Sequence, residues 1–145
     1  MDVIIFSTNQ DYYTLPVSKI IRVLWAVEVT LIPKSPKVLY GVFDLHGKTI
    51  PVVSIRELLS LEPKQMELED ALIILDVHSH QMALLVDNII GVYELEEEDS
   101  REASELFKEL ATTHIVKYDD RLIPVLDIDN LIESDMLSSI STKKG

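Results

Sequence analysis

Val38-Leu39-Tyr40-Gly41-Val42-Phe43-Asp44-Leu45-His46-Gly47-Lys48-Thr49-Ile50-Pro51-Val52-Val53 is the stretch on which the fold class turns. Two apolar runs, Val38–Leu45 and Thr49–Val53, flank His46-Gly47, and a turn pair ending in glycine between such runs marks a tight β-hairpin. The same grammar continues upstream. Val3–Phe6 and Tyr12–Pro16 enclose a polar break, Ile20–Trp25 follows, and Val27–Ile32 alternates with period two before Pro33 and Pro36 bracket a loop. Downstream, Ala71–Val77 and Met82–Val86 flank His78-Ser79-His80-Gln81. Ile89–Leu95 comes next, and Ile115–Tyr118 and Leu122–Leu126 turn at Asp119-Asp120. About ten short strands rich in valine and isoleucine predict an all-β barrel or sandwich with short helices.

Three helical segments punctuate the strands. Ser54-Ile55-Arg56-Glu57 has capping-box spacing and opens Ile55–Leu61, and Asp99-Ser100-Arg101-Glu102 repeats that pattern before Ala103–Leu110. Asp127 or Asp129 caps a predicted C-terminal helix, Asn130–Ser139, with Leu131, Ile132, Met136, Leu137 and Ile140 on one stripe. Residues 141–145 read as a frayed tail. Pro63–Glu69 is a polar joint between two halves, and no exact repeat is apparent.

Composition narrows the function. The 145 residues suit a single domain, and 47% hydrophobic with 26% charged residues is globular rather than disordered. With no cysteine there is no disulfide scaffold, thiolate metal site or cysteine nucleophile. The start lacks a basic region ahead of an apolar one, so no secretory leader is expected. No apolar run approaches the roughly 18 residues of a membrane span. A net charge of −12 repels nucleic acid and anionic lipid. A soluble, cytoplasmic domain is the expectation, with no nucleic-acid partner and no direct membrane insertion.

Catalytic motifs are hard to find. The glycines, at 41, 47, 91 and 145, are too scattered for a phosphate loop. Asp76, His78 and His80 would share a face of a continuous strand and could hold a divalent ion, but the hairpin turn divides them and favours a solvated turn. Neither a metal, a cofactor nor a catalytic residue is expected. Asp87 interrupts an apolar stretch and must find donors, either backbone N–H groups in a turn or Arg56, unless it meets a partner. Glu94–Glu109, with eight acids and two bases, reads as a solvated helix face first and a docking surface second. Trp25, at a strand end, packs the core or anchors an interface.

Several of these stretches, in order and spacing, resemble the CheW-like domain family, the adaptors of bacterial chemotaxis arrays. They are Tyr13–Ile20, Val29–Pro36, Gly41–Gly47, Ile50–Arg56, Leu84–Val92 and Asp120–Asp129. The resemblance implies two small SH3-like β-barrels sharing a hydrophobic core, a single domain over 1–140 with the joint near 61–69, and no catalysis. It implies as partners a CheA-like histidine kinase, through its regulatory domain, and the cytoplasmic tip of a methyl-accepting chemotaxis receptor, placing the chain peripheral to membrane receptor arrays. Ile20, Gly41, Leu45, Gly47, Pro51, Val53, Arg56, Val86, Asp87 and Asp127 match the family pattern. Most of these keep the fold. The partner-binding set implied is Ile20, Arg22, Gly41, His46, Val53, Arg56, Asp87 and Gly91. Two of these depart from the pattern: the family commonly has glutamate where Arg22 stands and arginine where His46 stands. His46, at a hairpin tip, is a polar turn residue or a partner contact. The family's glycines near the last hairpin are replaced by His114 and Val116. The alternative implied is an adaptor serving a dedicated kinase of a non-flagellar two-component pathway.

Overall fold

The computed structural model describes residues 1–25 and 28–132. Ten strands form two five-stranded sheets. β1 (Asp2–Thr8), β2 (Asp11–Pro16), β8 (Asn88–Glu94), β9 (Thr112–Tyr118) and β10 (Arg121–Leu126) make one sheet in the order β8-β1-β2-β10-β9. β3 (Ile20–Trp25), β4 (Leu39–Leu45), β5 (Lys48–Ser54), β6 (Ala71–Val77) and β7 (His80–Val86) make the other, β3-β6-β7-β5-β4. The helices are short: α1 (Ile55–Leu58), α2 (Arg101–Leu106) and α3 (Ile128–Leu131).

Each sheet curls into a barrel, and the residues that follow one edge strand cross to the other edge. After β3, Thr30 exchanges two backbone hydrogen bonds with Val42 of β4, at 2.8 and 2.9 Å. After β8, the amide of Glu98 donates to Ile115, and that of Lys117 donates to Glu96, closing onto β9. This crossing explains why Val27–Ile32 is not the strand its alternation predicts. Among the described residues of that stretch only Thr30 pairs, while Val29 packs inward and Leu31 points out.

Apolar residues separate into three clusters. Val3 and Ile5 fill the first barrel with Val116, Ile123 and Val125. Leu72 and Ile74 fill the second with Phe43, Ile50, Val52, Ala83 and Leu85. The alternate residues, Ile4 and Phe6 on β1 and Ala71, Ile73 and Leu75 on β6, join one core between the barrels with Val53, Ile55, Leu84, Leu126 and Ile128. β1 and β6 are thus buried on both faces, which is why they read as unbroken apolar runs. The shared core and the all-β architecture agree with expectation.

The barrels are built from two copies of one pattern, too divergent to form an exact sequence repeat. Residues 2–23 match 71–92 without gaps, with Ile4/Ile73, Ile5/Ile74, Leu15/Leu84, Val17/Val86, Ile20/Ile89, Ile21/Ile90 and Val23/Val92 identical. Residues 41–59 match 114–132, with Ile50/Ile123, Pro51/Pro124, Val52/Val125, Ile55/Ile128 and Leu58/Leu131 identical. Register follows: Thr8 pairs with Asp11 as Val77 pairs with His80, and Val52 runs parallel to Ala83 as Val125 does to Thr14. The turns Asn9-Gln10 and His78-Ser79 both take left-handed backbone, as type I′ hairpins require. Each barrel combines the first hairpin of one copy with the three later strands of the other.

This exchange corrects the predicted joint. Residues 61–69 link α1 to β6 inside one barrel, and the chain passes between barrels at Val17–Lys19, a single 3-10 turn, and at Asp87. Other boundaries also move. α1 ends at Leu58 rather than Leu61, because Ser60 turns to left-handed backbone (φ 58°) and the Leu61 amide closes back on the Arg56 carbonyl at 2.7 Å, while at its start only the half of the capping box that serves the Glu57 amide forms (3.4 Å). α2 occupies only the middle of the acidic stretch. Asp127 caps α3 by accepting from the Asn130 amide at 3.3 Å. The remainder of the predicted C-terminal helix, and the tail, lie outside the described residues.

Candidate functional site

The exchange of hairpins creates two related junctions between the barrels. At the first, Asp87 is the lone residue between β7 and β8, and Arg56 reaches it from α1. The guanidinium donates through Nε at 3.2 Å and Nη2 at 2.5 Å, a forked contact that fixes both side chains. Asp87 also accepts the Asn9 amide from the β1–β2 turn at 3.0 Å, and Arg56 Nη1 donates to the Glu62 carbonyl at 2.9 Å. Partial burial works against the charge on Asp87, but Arg56 and the Asn9 amide outweigh it and hold the carboxyl below its usual range. The hydrogen bond to Asp87 correspondingly raises Arg56. Asp87 therefore takes both readings given to it, accepting a backbone amide and pairing with Arg56.

At the second junction the polarity is reversed. Asp129 stands in the repeat position of Arg56 and pairs with Lys19, while His78, in the position of Asn9, places Nε2 2.7 Å from the Asp129 and Ile132 carbonyls. Arg56 and Asp87 side chains are 13% and 25% exposed, against 35% and 38% for Lys19 and Asp129. None of Asn9, Lys19, His78 or Asp129 stands out as a junction residue in a linear reading. The repeat spacing sets Arg56 against Asp129 and Asn9 against His78, but it sets Asp87 against Ser18, so the pairing of Lys19 with Asp129 emerges only in the folded chain.

A cleft of about 500 Å³ lies on the β3–β7 barrel, between β3 and β4. Arg22 and Leu24 line one side, Phe43, Asp44 and His46 the other, with Glu28 of the crossing segment beside them. The two departures from the family pattern thus face one cleft. His46 sits in a tight turn at φ 52° with Gly47 at φ 85°, exposed at the tip. Along β3, Ile21 and Trp25 are 47% and 54% exposed, so Trp25 does not pack the core.

The other residues of the implied set divide. Ile20 is half-buried against the shared core. Val53 is fully buried and Gly41 lies beneath the crossing segment, so neither offers a side chain to a partner. Gly41 serves close approach, since a Cβ there would stand 2.4 Å from the Thr30 carbonyl oxygen. Gly91 makes room for the Tyr93 ring, which would lie 2.9 Å from a Cβ. Asp76, His78 and His80 do not converge: Asp76 pairs with Gln81 across the hairpin, Val77 pairs with His80, and His78 turns to the α3 carbonyls. Among the described residues no three histidine or acidic groups are grouped to hold a metal ion, and no helix is long and apolar enough to cross a membrane.

Two barrels with a shared core, an ion-paired junction and an exposed apolar edge define a β-barrel interaction module. Its sequence gives it a place among known modules. The chain belongs to the CheW-like domain family, whose model matches residues 2–136. It is 30% identical to the chemotaxis protein CheW of Thermotoga maritima over 99% of this chain and 92% of that protein. It is 24% identical to the chemotaxis protein CheW of Bacillus subtilis over 94% and 89% of the two chains. The fold is that of the scaffolding protein TtCheW from Thermoanaerobacter tengcongensis, with a TM-score of 0.78 at 22% identity, covering 93% of this chain and 94% of that one. The family is one of non-enzymatic adaptors.

Proposed function

We propose that this chain is a chemotaxis-type coupling adaptor that joins the regulatory domain of a CheA-like histidine kinase to the cytoplasmic tip of a chemoreceptor, without catalysis of its own. The observation that carries this reading is family membership over residues 2–136, with relatives named as chemotaxis proteins matching nearly end to end. The surface suits it. Exposed Ile21 and Trp25 beside the Arg22–His46 cleft offer apolar anchors and a cation to a protein partner. The Arg56–Asp87 pair, with the Asn9 amide on Asp87, ties the junction to the β1–β2 turn of the other barrel. In this role the chain is cytoplasmic and peripheral to membrane receptor arrays.

Arg22 tests the reading most sharply. Its cognate partner is expected to present an acidic group, because the family's usual glutamate is replaced by a cation here. Arg22→Glu should weaken binding to that partner by about 1–3 kcal/mol, more at low salt than at high, by isothermal calorimetry. Unchanged affinity for both kinase domain and receptor tip would remove Arg22 from the contact surface. Arg22 and His46 in one cleft also favour a second reading, an adaptor for a dedicated kinase of a non-flagellar two-component pathway. Binding to that kinase domain alone, with none to any receptor tip, would select it.

A further inference from the structure

The β3–β7 barrel carries a second groove, on the outer side of the segment that crosses from β3 to β4. It has a volume of about 690 Å³, with Val29, Leu31, Tyr40, Met66 and Leu68 along it. Leu31 is 62% exposed and Leu68 82%, large for leucines that face the same depression. The far wall, residues 65–69, is held in place. The Met66 amide donates to the Tyr40 hydroxyl at 3.0 Å, and buried Asp70 accepts from the Glu67 amide at 2.8 Å and from the Lys64 ammonium at 2.8 and 3.0 Å. Glu28, Glu67 and Glu69 rim the groove. The nearby cation, Lys64, is engaged by Asp70 and Glu67.

The repeat shows a helix packed beside the related groove. In the other barrel the related groove, about 530 Å³, lies between the segment Glu97–Asp99 and the start of β9, and a helix forms its outer wall where residues 65–69 form that of the first. That wall is α2 and the turn after it, with Ser104, Phe107 and Leu110 lining the groove and Ala103 buried beneath. The extra length between the crossing point and β9 provides that helix. Between Thr30 and β4 the shorter connection, with Pro33 and Pro36, holds no helix.

We propose that the open groove is a docking site for an amphipathic helix of a partner protein, with two or three apolar side chains at helical spacing set between lysines or arginines. The apolar floor receives the stripe, and Glu28, Glu67 and Glu69 meet the flanking cations. This site does not depend on which kinase or receptor the chain serves.

The probe is a lactam-stapled peptide of the chain's own Ser100–Leu110 sequence with lysine in place of Glu102, Glu105 and Glu109. It keeps the apolar stripe of α2 and reverses its charge. Titrated into the full, isotope-labelled chain, it should give saturable NMR shift changes at Val29, Leu31, Met66 and Leu68. The double substitution Leu31→Ser with Leu68→Ser, at exposed positions that leave the core intact, should weaken it roughly ten-fold. Glu67→Gln with Glu69→Gln should weaken it by a smaller factor that vanishes at high salt, and Glu105→Gln, remote from the groove, should not. The same stapled peptide with its natural glutamates should bind at least about ten-fold more weakly. Shift changes centred elsewhere, affinity insensitive to Leu31 and Leu68, or equal binding of the acidic and basic peptides would each overturn the proposal.

Discussion

The two barrels share strand order, register and even the place of a proline, yet they differ in how their crossing segments and outer edges are built. Pro51 and Pro124 sit one residue before the parallel pairing to β7 and β2 begins, so neither interrupts that ladder. Ile50/Ile123 and Val52/Val125 fill the two barrel interiors alike. Outside, the β3–β7 barrel has Gly41 under a short crossing segment, an open apolar groove and an exposed edge with Ile21, Arg22 and Trp25. The other barrel has His114 in place of Gly41, paired with Glu97 at 3.1 Å, a helix over the related groove, and a tyrosine cluster. There the Tyr93 and Tyr118 rings lie 5.0 Å apart, and the hydrogen bond that the Tyr118 hydroxyl makes to Tyr93, which holds its proton in place, pushes the Tyr118 pKa up to about 12. One barrel has a helix along its groove, and the other has a short connection and the more exposed apolar edge.

The largest effect should come from undoing the asymmetry at the crossing segment. Gly41→Ala puts a methyl 2.4 Å from the Thr30 carbonyl oxygen and 2.8 Å from Val29 Cγ1, so backbone must move. A loss of roughly 2–3 kcal/mol in urea unfolding is expected, whereas His114→Ala at the matching position should cost under about 1 kcal/mol. Equal costs would mean the two closures are energetically alike.

Next come the junctions. Asp87→Asn leaves Arg56 half-buried without its partner and should cost about 1–2 kcal/mol, between the values for exposed and fully buried pairs. Lys19→Gln, at the more exposed pair, should cost under about 1 kcal/mol. The pH dependence has a definite sign. The carboxyl of Asp87 titrates lower in the folded chain, so its contribution is complete above the unfolded value of about 4 and is lost as pH falls through the folded one. Denaturation midpoints from pH 6 downward should therefore fall less steeply for Asp87→Asn than for the parent chain, and parallel curves would contradict the assignment.

A smaller change should stabilise. The Thr8 hydroxyl is buried without a partner, alone in that respect among the described residues, and its repeat position is Val77. Thr8→Val replaces an unsatisfied hydroxyl with a methyl of the same shape and should gain about 1 kcal/mol. A lower melting temperature would show that the hydroxyl is satisfied in solution.

Much of this architecture was readable from local chemistry. His46-Gly47 and Asp119-Asp120 mark hairpins because their residues tolerate left-handed backbone, and the runs at β1 and β6 announce strands buried on both faces. The repeat was harder to see, since its identities are scattered aliphatics and its halves exchange hairpins in space. Residues 63–69 looked like a joint because polarity reports exposure, whereas a boundary depends on which strands pair. Of the candidate site, Arg56–Asp87 was legible because a carboxylate amid aliphatics must find donors. The exposure of Trp25 was not, because Ile20–Trp25 has the same composition whether its outer face is covered or free.

The central claim, that the open barrel face makes this chain a coupling element, is tested most directly by reconstitution. Autophosphorylation of the CheA-like kinase from the same cell would be followed with its chemoreceptor in membranes, with and without this chain. The expected result is kinase activity that depends on receptor and stimulus only when the chain is present, and that Arg22→Glu weakens. Kinase activity indifferent to the chain, with the receptor present and the chain folded, would contradict the account.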